Sequence, residues 1–273
     1  MNKIDMHCHT TNRRIEGVAD KYPTLDVIEN YMKQNEVEKT VLLATYFPHK
    51  GTGISNFRLL DWTRGKDNFF MFGSLDFDHF YFQGLNELEE LAERKLMKGI
   101  KVYTCYQHID LQSDKFKAVV NLAKEHNLPM MFHVGYSYSC MSKCGKVAYT
   151  QPVSPKSLEE VVKANPQVNF IFSHMGKPFF KELLEVVKAN KNVYTDSSGL
   201  VDFDENPASI ENVVGEVKQF VTECGADRLL FGTDFPVQTY AHSVYLIEKG
   251  MKDFSDSEKE KVFSGNARRL LRL

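Results

Sequence analysis

Eight short apolar runs punctuate the chain, and a helical pattern follows most of them. They cover residues 2–7 (NKIDMH), 39–45 (KTVLLAT), 69–75 (FFMFGSL), 98–104 (KGIKVYT), 129–134 (PMMFHV), 168–174 (VNFIFSH), 192–197 (NVYTDS) and 228–234 (RLLFGTD). Several are apolar almost without interruption, which is the pattern of strands buried on both faces of a parallel sheet. Residues 84–96 place Leu85, Leu88, Leu91, Ala92 and Leu96 on one helical face, with Glu87, Glu89, Glu90 and Glu93 elsewhere. Phe116, Val119, Val120 and Ala123 have helical spacing within 114–125. Ser154-Pro155 reads as an N-cap and first helical residue for 154–164, and Ser255 with Glu258 as a capping box. Eight strand–helix units are the number that closes a barrel. The expected fold is therefore α/β, a single (β/α)8 TIM-type barrel forming one domain over 1–273. A length of 273 residues is ordinary for one such barrel.

Bulk properties remove several classes of function. A formal net charge of −2 gives no reason to expect a nucleic-acid partner. No run approaches the roughly 18 apolar residues of a membrane span, so no membrane partner is expected. The N-terminal MNKIDMHCHT enters a strand directly, without the apolar segment of a signal peptide. Five scattered cysteines do not form a disulfide framework. A cytoplasmic protein binding a small-molecule substrate is expected, and a homo-oligomer is compatible with the sequence. No phosphate-cradling glycine loop or dinucleotide fingerprint occurs.

In a barrel of this kind the reactive groups sit where strands end. Here His7 and His9 end the first run, His133 the fifth, His174 the sixth and Asp234 the eighth, while Lys101 lies within the fourth. Residues two apart on a strand point the same way, so His7 and His9 project together. Neutral imidazoles converging on one point can share a cation; they suit zinc and also iron, copper and nickel. One HxH pair arises readily by chance, and one strand-end histidine is readily a satisfied core residue. Five metal-binding groups at one rim point to a metal site, without sorting ligand from neighbour. Asp5, on the same side as the pair, is either an acceptor for a ligand's second ring N–H or a capped, buried carboxylate.

Specificity groups belong on the loops that follow the strands. Arg13, Arg14 and Lys177 follow two of the histidine motifs, and His49 and Lys50 follow the second run. Tyr136 and Tyr138 open the longest irregular stretch, 135–153. Positive groups beside a metal suggest a small anionic substrate, a carboxylate in particular, although each taken singly reads as a solvated rim charge. Cys140 and Cys144 (CMSKC) lack the partner pair of a metal site and read as free thiols.

The pieces IDMHCHT, GIKVY, FHVG, FSHMG, NVYTDSSG, RLLFGTDFP and GNARRLL, in that order from residue 4 to about 271, resemble the amidohydrolase superfamily. Within it they are similar to the amidohydrolase 2 branch, which is related to aminocarboxymuconate semialdehyde decarboxylase. The resemblance implies one divalent metal, most commonly zinc, with manganese, iron or cobalt as alternatives. It implies His7, His9, His133 and Asp234 as ligands, and His174 beside the metal-bound water or at a second metal. Lys101 is implied as a bridge to a second metal, a substrate contact or an ion-paired strand lysine. A bound zinc lowers the pKa of its water from 15.7 to about 7, which would serve hydrolysis of an amide, lactone or ester, with Asp234 or His174 moving the proton. The alternative activity is non-oxidative decarboxylation of a small carboxylic acid; the remaining one is a catalytically silent binding protein.

Overall fold

All six residues of β1 (Lys3–Cys8) are buried, as expected of a strand covered on both faces. β2 (Val37–Leu43), β3 (Phe69–Gly73), β4 (Gly99–Val102), β5 (Met130–Phe132), β6 (Phe170–Phe172), β7 (Val193–Asp196) and β8 (Leu229–Leu230) follow. They form one eight-stranded sheet in the order β1 to β8, alternating with helices as a (β/α)8 barrel. The computed structural model describes residues 1–45, 53–135, 152–202 and 206–273. Among the described residues, no helix is long and apolar enough to cross a membrane.

The chain divides into two compact units, Met1–Leu42 with Lys66–Phe70 and Tyr194–Leu273, and Leu43–Gly65 with Met71–Val193. In the first unit β1 pairs in parallel with β2, Ile4 opposite Lys39, and β7 with β8, Asp196 opposite Leu230. The chain after β8 then joins β1: Met6 N–H donates to Phe231 O at 2.9 Å and His9 N–H to Phe235 O at 2.8 Å. In the second unit β3 to β6 pair in sequence, with Lys101 opposite Met131 and Met131 opposite Ile171. The buried rings of Phe116, Phe132, Phe170 and Phe172 pack around β5, so these aromatics are core.

Helix α3 (Tyr81–Glu93) buries Leu88, Leu91 and Ala92, and α4 (Asp114–Glu125) buries Phe116, Val119, Val120 and Ala123. Ser154 caps a 3-10 turn that leads into α5 (Glu159–Ala164), and Ser255 and Glu258 form the expected capping box. Strands β3 to β8 are shorter than their apolar runs, and at β8 this is because backbone groups leave the ladder early. Gly232 N–H donates to Ser197 Oγ at 3.2 Å and Phe231 N–H to Val262 O at 3.0 Å, which ends β8 at Leu230.

Candidate metal centre

The period of β1 turns His7 and His9 to the same side, and a tight turn after β8 brings Asp234 to them. Asp234 N–H donates to His7 O at 2.7 Å, and Phe235 N–H caps the turn on Thr233 Oγ1 at 3.0 Å. Asp234 is held at φ +56°, a left-handed conformation that non-glycine residues adopt at a cost and that gathers at functional sites. His7 Nε2 lies 3.4 Å and His9 Nε2 3.2 Å from the same oxygen, Asp234 Oδ1. Ligands held at about 2.0–2.1 Å in a tetrahedron stand about 3.3 Å apart, so these donors fit a zinc-sized cation in both type and spacing. His7 and Asp234 belong to a cluster able to hold a metal ion. The His7 side chain is 1% exposed, while His9 and Asp234 keep 21% and 14%, leaving one side open to a ligand.

The carboxylate network beneath the pair decides between the two readings of Asp5. Asp5 does not receive a histidine ring proton; its Oδ1 accepts the backbone N–H of His7 and of Thr233, both at 3.0 Å, and its Oδ2 accepts the Thr233 hydroxyl at 2.7 Å. Burial pushes the Asp5 carboxyl up to about 7, against the hydrogen bonds from Thr233 and His7. Asp5 is thus the capped, buried carboxylate, and it staples β1 to the turn that carries Asp234. The ring nitrogen His7 Nδ1 instead faces Asp196 Oδ2 and Ser198 Oγ, each at 2.9 Å. Sequence reasoning passed over Asp196 and Ser198. The signal was present: an aspartate ends the apolar run NVYTD as Asp234 ends LLFGTD. Gly232 makes the room, since a Cβ there would lie 3.2 Å from His7 Cβ, 3.3 Å from Ser198 Cβ and 3.4 Å from Asp196 Cβ.

In the second unit His133 follows β5, its N–H donating to Val102 O at 2.9 Å and its carbonyl accepting the Thr104 hydroxyl. The ring of Tyr106, another residue the sequence did not single out, packs edge-on against His133 with centroids 5.1 Å apart. His174 and Met175 follow β6 at φ +63° and +45°. That turn aims His174 Nε2 at His133 Nδ1, 3.2 Å away. Lys101 is buried, donates to Ser173 Oγ at 2.9 Å and lies over the Tyr103 ring at 5.4 Å. Gly135 explains the glycine of FHVG: at φ +86°, a Cβ there would sit 1.7 Å from Lys177 O.

Of the substrate candidates, Arg13 is exposed, and Arg14 is exposed and paired with Glu16 at 2.7 Å. Lys177 is half-buried, its N–H donating to His174 O at 3.0 Å. Tyr136, Tyr138, His49, Lys50, Cys140 and Cys144 lie outside the described residues.

A family model described as amidohydrolase matches residues 4–273. The chain belongs to the amidohydrolase family. Solved structures with the amidohydrolase's fold include a probable 2-pyrone-4,6-dicarboxylic acid hydrolase from Acinetobacter baumannii with citric acid bound (16% identity, 100% of each chain covered, TM-score 0.72). An amidohydrolase from Burkholderia multivorans with bound zinc is equally similar (16%, 100% of each chain, 0.72). The 2,6-dihydroxybenzoate decarboxylase from Rhizobium follows (16%, 100% of this chain and 99% of that one, 0.66). No curated protein matches the sequence.

Proposed function

We propose that this amidohydrolase is a metal-dependent hydrolase acting on an amide, lactone or ester of a small anionic molecule. The convergence of His7 Nε2 and His9 Nε2 on Asp234 Oδ1, at 3.4 and 3.2 Å, carries the proposal. Residues 1–273 would then work as one domain, as a (β/α)8 barrel does. His7, His9, His133 and Asp234 would hold one divalent cation, zinc first, with manganese, iron or cobalt as alternatives, and His174 would stand beside the reacting water. The bound cation supplies Lewis acidity and a water that ionises near neutral pH. As an attacking water forms its bond to the scissile carbonyl carbon and the bond to the leaving oxygen or nitrogen breaks, Asp234 would take the water's proton and pass it to that leaving atom. His174 orients the scissile carbonyl, or shares the proton transfer. Lys101 meets a substrate carboxylate, with a bridge to a second metal as its alternative role, and Arg13, Arg14, Tyr136 and Lys177 are the further anion-binding candidates. Support for an anionic substrate comes from the similar structure named as a dicarboxylic acid hydrolase, with citric acid bound.

A second reading, non-oxidative decarboxylation, is favoured by the similar decarboxylase structure complexed with 2,6-dihydroxybenzoate. One panel separates the two. The metal-replete protein is given lactones and amides of small acids alongside carboxylated aromatics, with acid release and carbon dioxide followed in parallel. Ring opening that a chelator abolishes and zinc restores supports hydrolysis, whereas carbon dioxide release with inert lactones selects the decarboxylase. Silence towards both classes with metal restored would leave the binding protein.

A further inference from the structure

Asp196 has the partners of a group that fixes the ligand state of His7. It is fully buried at the end of β7. Its Oδ1 accepts both the backbone N–H of Ser198, at 3.2 Å, and the Ser198 hydroxyl. Its Oδ2 faces His7 Nδ1 at 2.9 Å. The Ser198 hydroxyl proton is committed to Asp196, so Ser198 Oγ, also 2.9 Å from Nδ1, presents a lone pair to the ring. Two acceptors at Nδ1 place the ring proton there, and a neutral imidazole with its proton on Nδ1 has its lone pair on Nε2. Nε2 is the atom that faces Asp234 Oδ1 at 3.4 Å.

The backbone holds this arrangement in place. Ser197 N–H donates to Leu230 O at 3.0 Å, and the Ser197 hydroxyl donates to Gly232 O at 3.3 Å, so the TDSS stretch is stitched to β8. Gly232 leaves space for the Cβ atoms of His7, Asp196 and Ser198 to approach. Asp196 thus reaches His7 across the sheet with little freedom to move.

We infer that Asp196, supported by Ser198, is the positioning residue of the metal centre: it locks His7 in the tautomer that offers Nε2 to the cation. The inference rests on the metal reading above for its consequence, and on hydrogen bonding alone for the tautomer. Asp196→Asn is the informative change because the amide has one acceptor where the carboxylate has two. If the amide oxygen serves Ser198, the NH2 group confronts Nδ1 and drives the ring proton to Nε2. If it serves His7, the NH2 group confronts the Ser198 N–H.

Groups that orient a metal-bound histidine typically change metal affinity 10–100-fold when altered. Zinc competition against a chromophoric chelator should therefore show Asp196→Asn binding about 10–100-fold more weakly than wild type, with Ser198→Ala, which keeps the carboxylate, in between. Long-range nitrogen–proton spectra of the metal-free protein should show His7 with its proton on Nδ1 in wild type and shifted towards Nε2 in Asp196→Asn. A purely structural role would lower the melting temperature without moving the tautomer. Unchanged zinc affinity in both variants, or a wild-type His7 protonated on Nε2, overturns the inference. Should Asp196→Asn fail to fold, the wild-type spectrum and Ser198→Ala still decide it. A wild type with Nδ1–H and no zinc affinity would sink the metal reading while leaving the hold of Asp196 on the His7 tautomer intact.

Discussion

The two groups of strand-end residues are braced by opposite kinds of chemistry. Around His7 and His9 the bracing is acidic: Asp5 holds the backbone of His7 and Thr233, Asp196 holds the His7 ring, and Asp234 faces both imidazoles. Around His133 and His174 it is backbone, aromatic and cationic: Val102 O, the Tyr106 ring, a left-handed turn, and Lys101 on Ser173. Buried carboxylates beside imidazoles raise their basicity and fix their tautomers, which favours cation binding. On the proposed reading, the acidic bracing suits the first group to hold a cation, while the second group would add His133 as a ligand and His174 beside the reacting water.

The largest test of that contrast is Asp234→Asn, which should lose metal and lower turnover by about 10²–10⁴-fold, the range for a lost general base; metal analysis and steady-state rates check both. His174→Asn should cost turnover near the lower end of that range while retaining metal, and loss of metal in this variant would move His174 among the ligands. Gly135→Ala should destabilise the fold by about 3 kcal/mol, because its Cβ would enter the Lys177 carbonyl; thermal melts measure this. Gly232→Ala, with contacts of only 3.2–3.4 Å, should cost about 1 kcal/mol yet weaken zinc binding by disturbing His7. The smallest effect concerns thiols. Burial pushes Cys8 well above its usual range, Asp5 pushing further; burial raises Cys105 to about 12, with Lys101 opposing. Among the described cysteines, alkylation followed by peptide mapping at pH 9 should modify the half-buried Cys224 first, then Cys105, and Cys8 last. The reversed order for Cys8 and Cys105 would contradict the charge difference between the two regions.

Much of this was legible from local pattern. Buried parallel strands announce themselves by uninterrupted apolar runs, and the two-residue period of β1 was enough to pair His7 with His9. His174 and Asp234 were legible as polar ends of apolar runs, but not as what they are: both lie beyond their strands, in left-handed turns that no alternation rule places. Asp5 was visible and left between two roles, because choosing required Thr233, 228 residues away. Asp196 was missed although its TD ending matches that of Asp234, since a strand-end aspartate without a histidine near it in sequence reads as a cap. Tyr106 had no local signal, because its contact with His133 is made only once β4 and β5 have paired.

The central claim is that imidazole nitrogens and a carboxylate oxygen, with no sulfur, form a metal centre around His7, His9 and Asp234. X-ray absorption at the zinc edge of the zinc-loaded protein tests it most directly. The account predicts one zinc per chain with nitrogen and oxygen neighbours at about 2.0–2.1 Å and the outer scattering of histidine rings, weakened in His7→Ala. A sulfur neighbour at about 2.3 Å, or a spectrum unchanged by His7→Ala, would contradict it.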